Sequence, residues 1–147
     1  MKLFFLILTV CSLQVAAQND EQAVKQTITN LFDGMRKSDS ILLKSAFAPE
    51  AILQTIDSRT SEIKIRTDKV TAFVTGVTRP HKEVYDERIT FDVVKIDGDL
   101  ASVWTPYQFY VDDKFSHCGV NSFQLVRLGG EWKIQYLIDT RRKDACK

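Results

Sequence analysis

The chain has 147 residues, enough for one domain with a real core and too few for two. Its 20 Lys and Arg stand against 19 Asp and Glu, a formal net charge of +1. Such a balance leaves no electrostatic footprint for nucleic acid or an anionic membrane surface, and neither partner is expected.

The first element is read as a secretory leader. Lys2 is the only charge before Asp20, and Leu3 to Val10 form a short apolar run before Val15-Ala16-Ala17-Gln18. A basic start, an apolar core and small residues at the cut are what export requires, so residues 1–17 are expected to be a signal peptide, cut between Ala17 and Gln18. The run is shorter than the roughly 20 residues that span a bilayer, so no stable membrane anchor is expected. The rival is a lipoprotein cut before Cys11, where Leu8-Thr9-Val10-Cys11 is similar to a lipobox apart from the bulky Val10. Cleavage after Ala17 leaves a domain over 18–147 with 19 basic and 19 acidic residues, expected to be secreted or periplasmic. It also leaves two cysteines, Cys118 and Cys146, an even number in an oxidising compartment. A disulfide between them is one expectation; Cys118 as a small buried apolar residue is the other.

A helix is predicted from Asp20 to Lys37, because Val24, Ile28, Leu31, Phe32 and Met35 recur at three and four residues as one apolar stripe. Asp39 suits the N-cap of a short helix over Ile41–Phe47, ended by Pro49. Ala51–Ile56 and Glu62–Arg66 read as a hairpin. Asp68 can cap a third helix from Lys69 to Thr75, closed by Gly76. From Val84 onward the pattern is one of long strands, over 84–96, 99–111, 114–128 and 131–141. They are separated by the turn sites Asp97-Gly98, Asp112-Asp113 and Gly129-Gly130.

Those turns imply a register in which Ile96 pairs with Asp99, Val111 with Lys114 and Leu128 with Glu131. Trp104 then faces Asn121, and Asn121 faces Ile138. Paired residues share a face. The inner face is accordingly expected to carry Ile89, Phe91, Trp104, Gln108, Tyr110, His117, Asn121, Phe123, Leu125, Trp132, Ile134 and Tyr136. Val103, Tyr107, Phe109, Val120, Leu137, Cys118 and Asp139 fall on the outer face. Pro106 is the point where a bulge would shift the pairing.

The order of helix, short helix, hairpin, helix and four-stranded meander resembles the nuclear-transport-factor-2-like superfamily, an α+β fold in which N-terminal helices pack on a curved antiparallel sheet. The segments Val103-Trp104-Thr105-Pro106-Tyr107-Gln108-Phe109-Tyr110, Phe115-Ser116-His117-Cys118-Gly119 and Glu131-Trp132-Lys133-Ile134 are similar to its lumazine-binding, SnoaL-like bacterial branch. So are Asp33-Gly34-Met35, Asp39 and Phe47-Ala48-Pro49. The resemblance covers essentially the whole of 18–147. It implies a cone with a cavity at its open end. Its members include isomerases, dehydratases, cyclases and plain binding adaptors, so fold alone does not choose among them.

On the expected register Trp104, Gln108, Tyr110, His117, Asn121 and Tyr136 form a small-molecule site of aromatic walls with a few convergent polar groups. The alternative is a closed core in which those groups satisfy one another. No Asp or Glu falls on the inner face of the long strands, which leaves His117 as candidate base with Tyr110 or Tyr136 as donor. His117 and Cys118 are adjacent, but His81 is the only other histidine and no C-x-x-C spacing exists, so neither metal nor cofactor is expected. Three readings follow: a small-molecule-binding domain, a cofactor-free acid–base enzyme, and a structural homodimer joined through Val103, Tyr107, Phe109, Val120 and Leu137.

Overall fold

Val24, Ile28, Leu31, Phe32 and Met35 are all buried in a computed structural model that describes residues 3–57 and 62–146, with side chains from Gln18 onward. They line one side of helix α1 (Leu3–Lys37). The backbone of α1 continues without a break past the expected cut after Ala17, and the side chains of the expected leader lie outside the described residues. Among the described residues no helix is long and apolar enough to cross a membrane.

Asp39 caps α2 (Ser40–Ser45) as expected, its carboxylate accepting from the Ile41 and Leu42 amides. Pro49 does not end this helix. It lies within β1 (Phe47–Asp57), whose register is irregular between Phe47 and Ile52. β1 forms the expected hairpin with β2 (Lys64–Lys69). Helix α3 (Val70–Thr78) has Lys69 at its N-cap with no side-chain cap; the expected cap, Asp68, lies one residue earlier in β2 and pairs with Arg66 at 3.0 Å. Gly76 falls inside α3.

The first long strand is two strands, β3 (Tyr85–Ile89) and β4 (Val93–Asp97), both antiparallel to β5 (Leu100–Val111). Then follow β6 (Lys114–Leu128) and β7 (Glu131–Thr140). The sheet order is β2-β1-β7-β6-β5-β3, with β4 also on β5. β1 runs parallel to β7, which makes the sheet mixed where an antiparallel one was expected. The α+β class stands: helices followed by one curved sheet.

Two hairpin turns match their expected sites: Asp112 and Asp113 both have positive φ, as do Gly129 and Gly130. The first turn moves by one residue, so that Asp97 pairs with Leu100. Far from the turns, two bulges overturn the expected register. One lets β6 skip Ser116, so Phe109 pairs with His117 and Trp104 with Ser122. The other lets β7 skip Gln135, so Tyr136 pairs with Gln124 and Asp139 with Asn121. One extra residue reverses the side to which every later side chain points. The β5 assignment is therefore inverted. Val103 and Tyr107 are buried, Phe109 and Leu137 pack against the core, and of the expected outer patch Val120 alone remains outside. The homodimer face composed of those five residues does not exist in this register.

Candidate functional site

Inside the sheet, between it and the helices, lies a cavity of about 280 Å³. Leu31, Phe32 and Met35 of α1 and Phe73 and Val77 of α3 cover it with apolar groups. The sheet contributes Leu53 and Thr55, Glu87, Phe109, His117 and Asn121, and Leu137 and Asp139. The alternation of β3 turns Tyr85, Glu87 and Ile89 to one side, where they pair with Val111, Phe109 and Tyr107. The β7 bulge turns Asp139 to the same side. Two carboxyl groups thus enter the cavity from the long strands, where none was expected, and Asp68 of β2 lines it as well.

Their surroundings differ. The residue Glu87 keeps some exposure, but its carboxyl faces the cavity, and its partner is Asn121, whose Nδ2 donates to Oε1 at 2.8 Å. Burial pushes its pKa up from 4.5 to about 7; the Asn121 hydrogen bond opposes this, the Asp139 charge adds to it and Arg141 opposes it. Asp139 is 7% exposed and well supplied with donors. Thr55 Oγ1 donates to it at 2.5 Å and Arg141 Nε at 2.8 Å, while the Tyr107 hydroxyl stands 3.4 Å away. Arg141 is 46% exposed along its side chain, so this pair bridges the interior and solvent. Tyr107 donates to the Thr140 carbonyl at 2.9 Å. Burial, then the Glu87 and Asp139 charges, raise its pKa, which keeps it a phenol. Gly119 permits this corner: a Cβ there would strike the Thr140 carbonyl and the Tyr107 ring.

Of the expected site residues, His117 and Asn121 line the cavity. His117 packs on Phe109, ring centroids 4.9 Å apart, with Nδ1 3.1 Å from Ser116 Oγ. Burial lowers its pKa, and Arg141 and Lys143 lower it further against the pull of Asp139, so it is neutral near pH 7. Trp104, Gln108, Tyr110 and Tyr136 are placed on the opposite face, as the bulges require. Trp104 is 44% exposed. Tyr110 donates to Gln108 at 2.8 Å and lies under the Arg88 guanidinium, 4.0 Å from its ring centroid. Tyr136 donates to Gln54 at 2.7 Å. The sheet therefore brings together two of the six, and adds Glu87, Asp139, Tyr107, Thr55 and Arg141. Glu87 had a legible signal, since it shares parity with the inward Ile89. Asp139 had none.

A wider cleft of about 590 Å³ adjoins the cavity, with Thr55, Arg66, His117 and Arg141 in the shared wall. The residues after β7 form one side of it. They are fastened by paired backbone hydrogen bonds between Cys118 and Arg142, each 2.8 Å, and by a disulfide joining Cys118 to Cys146. Among the described residues no three His, Cys, Asp or Glu side chains gather as a metal site.

The sequence profile of the family described as "Putative lumazine-binding" matches residues 19–136. No curated protein sequence matches the chain. Solved structures do. An NTF2-like protein of unknown function from Shewanella baltica is 16% identical with a TM-score of 0.68, over 86% of this chain and 96% of that one. A conserved protein from Planctomyces limnophilus is 17% identical with a TM-score of 0.72, over 85% and 98%. An NTF2-like protein from Streptomyces avermitilis described as a "putative dehydratase" is 13% identical with a TM-score of 0.67, over 86% and 98%. At these identities the likeness is one of fold.

Proposed function

The chain belongs to the lumazine-binding-like family of the NTF2-like superfamily, a small-molecule-binding domain, and from that premise we propose that its inner cavity binds an uncharged or weakly polar carbon skeleton and moves a proton on it, with Glu87 as the base. The observation that carries this reading is the Glu87 carboxyl turned into the cavity under the apolar cover of Leu31, Phe32, Met35, Phe73 and Val77, with the Asn121 amide as its partner, where burial pushes its pKa up to about 7. A general base works best when its pKa lies near the working pH, and burial is the usual way to bring a carboxylate there. The two carboxyl groups have different partners and therefore different tasks. Asp139 is paired with Arg141 and Thr55, and its charge adds to the burial that raises Glu87. Asn121 fixes the Glu87 carboxyl. His117, neutral at the cavity mouth, can donate or accept a hydrogen bond. The chemistry is acid–base, with the proton carried by side chains of this chain. The dehydratase description of the Streptomyces avermitilis protein is in keeping with it and belongs to that protein.

The probe is nitrobenzisoxazole, in which removal of the ring C–H proton by a base breaks the N–O bond and releases a coloured cyanonitrophenolate. The expected rate with the full chain rises with pH and levels off above about pH 7 as Glu87 ionises. A rate no greater than that of acetate in the same buffer would overturn the assignment.

The product is further proposed to be exported. Lys2, the run from Leu3 to Val10 and the small residues Val15 and Ala17 support this. N-terminal sequencing of protein expressed with its own leader is expected to start at Gln18. A retained Lys2, or a lipid on Cys11, would contradict it.

A further inference from the structure

We infer that the cleft outside the cavity is an oxyanion clamp, so that the ligand is an amphipathic anion whose carboxylate or phosphate end is held at the mouth while its neutral body enters the cavity. The inference rests on the cavity reading above and goes further, to the class of ligand. Four cations line the cleft, Arg66, Arg141, Arg142 and Lys143, against two carboxylates, Asp57 and Asp144. The four are not equivalent. Arg66 is paired with Asp68 at 3.0 Å and Arg141 with Asp139 at 2.8 Å. Arg142 spends only Nε, on the Ala145 carbonyl at 3.3 Å, and Lys143 makes no ion pair among the described residues. A guanidinium with free N–H groups and an ammonium side by side are the donors that recognise a planar or tetrahedral oxyanion.

The interior enforces the polarity of the ligand. An anionic group placed in the cavity would meet the Asp68 and Asp139 carboxylates, whose arginine partners Arg66 and Arg141 are already engaged, and, above about pH 7, the Glu87 carboxylate beside the Asn121 amide. The same group in the cleft meets the N–H donors of Arg142 and Lys143, which the Asp68 and Asp139 pairs leave untouched. The two volumes adjoin at Thr55, Arg66, His117 and Arg141, and the inference is that one molecule spans them there. The clamp stands on fixed backbone, because Arg142 is paired with Cys118 in both directions and the chain is tied again at Cys146.

The test uses two dyes of like ring structure, anilinonaphthalene sulfonate and phenylnaphthylamine, which lacks the sulfonate. With the full chain, the sulfonate dye is expected to bind about tenfold more tightly, one charge-assisted contact's worth. The excess should vanish near about 1 M salt. Replacing Arg142 and Lys143 together by Gln (R142Q/K143Q) is expected to weaken the sulfonate dye about tenfold and leave the neutral dye unchanged. Lys143 is exposed and Arg142 half-buried, and the thermal unfolding midpoint checks that the variant is folded. Naphthoate and naphthyl phosphate then compete with the sulfonate dye; the stronger competitor identifies the headgroup, and failure of both counts against the clamp. Equal, salt-independent binding of the two dyes would overturn the clamp while leaving the cavity reading standing. Binding of neither dye would overturn both.

Discussion

Replacing Glu87 by Gln (E87Q) should lower nitrobenzisoxazole turnover by about 10²–10⁴-fold, the usual worth of a positioned general base, while making the chain more stable above pH 7. The two effects have one cause. Burial raises the carboxyl pKa from 4.5 to about 7. A carboxyl raised in the folded state contributes stability that is fully present below about pH 4.5 and is lost as pH rises through about 7. Ionising it costs the fold at most about 3 kcal/mol. Gln has the shape of the protonated acid and keeps a carbonyl oxygen for the Asn121 amide, yet never ionises. E87Q should therefore unfold at a higher temperature than the parent at about pH 8.5 and at a similar temperature near about pH 5. Unchanged turnover in E87Q, with the crossover present, would leave a buried acid that is not the base. Absence of the crossover would mean that the Glu87 carboxyl is solvated in the folded chain.

How much of this was legible beforehand depends on whether the information was local. The α1 stripe is local, and Val24, Ile28, Leu31, Phe32 and Met35 are all buried as read. The turns at Asp112-Asp113 and Gly129-Gly130 are local, and their backbones take the left-handed conformation that those residues tolerate. The bulges at Ser116 and Gln135 are not local. Neither residue announces an unpaired position, since the bulge arises from what the partner strand and the helices above demand. Strand faces alternate with a period of two, so one unmarked residue reverses half a strand, and β5 was reversed along most of its length. The cost fell on the site. Trp104, Gln108, Tyr110 and Tyr136 went to the wrong side, and Asp139 was assigned to solvent when it lies at the heart of the polar cluster. Glu87 is a different case, because it shares the period-two alternation of Ile89 two residues ahead and its inward side follows from local pattern alone. His117 and Asn121 came out right because they share β6 with Phe123 and Leu125, whose inward assignment needed no bulge.

Loss of the Cys118–Cys146 bridge in a Cys146→Ser chain (C146S) is expected to lower the unfolding free energy by about 3.5 kcal/mol and the midpoint by about 10 °C. The estimate comes from the loop that the bridge closes, a sequence separation of 28, whose closure removes conformational freedom from the unfolded chain. The cysteine count raised the pairing, but the path to it was not visible, because Asp144-Ala145 carries no turn signature. The structure supplies the reversal with Ala145 at φ 48°, a left-handed conformation that alanine rarely adopts. This brings the two Cα atoms to 5.8 Å, within the range that a disulfide spans. Substituting Cys146 is cleaner than substituting Cys118, which is buried under the returning tail and would leave a cavity. In C146S the residues from Arg141 to Ala145 keep only the Cys118–Arg142 backbone pair and side-chain contacts. Arg142 and Lys143 should then move away from the cleft, and the affinity of the sulfonate dye should fall with the stability. A drop below about 1 kcal/mol, with dye affinity intact, would mean that the tail docks by its own contacts and that the bridge adds little.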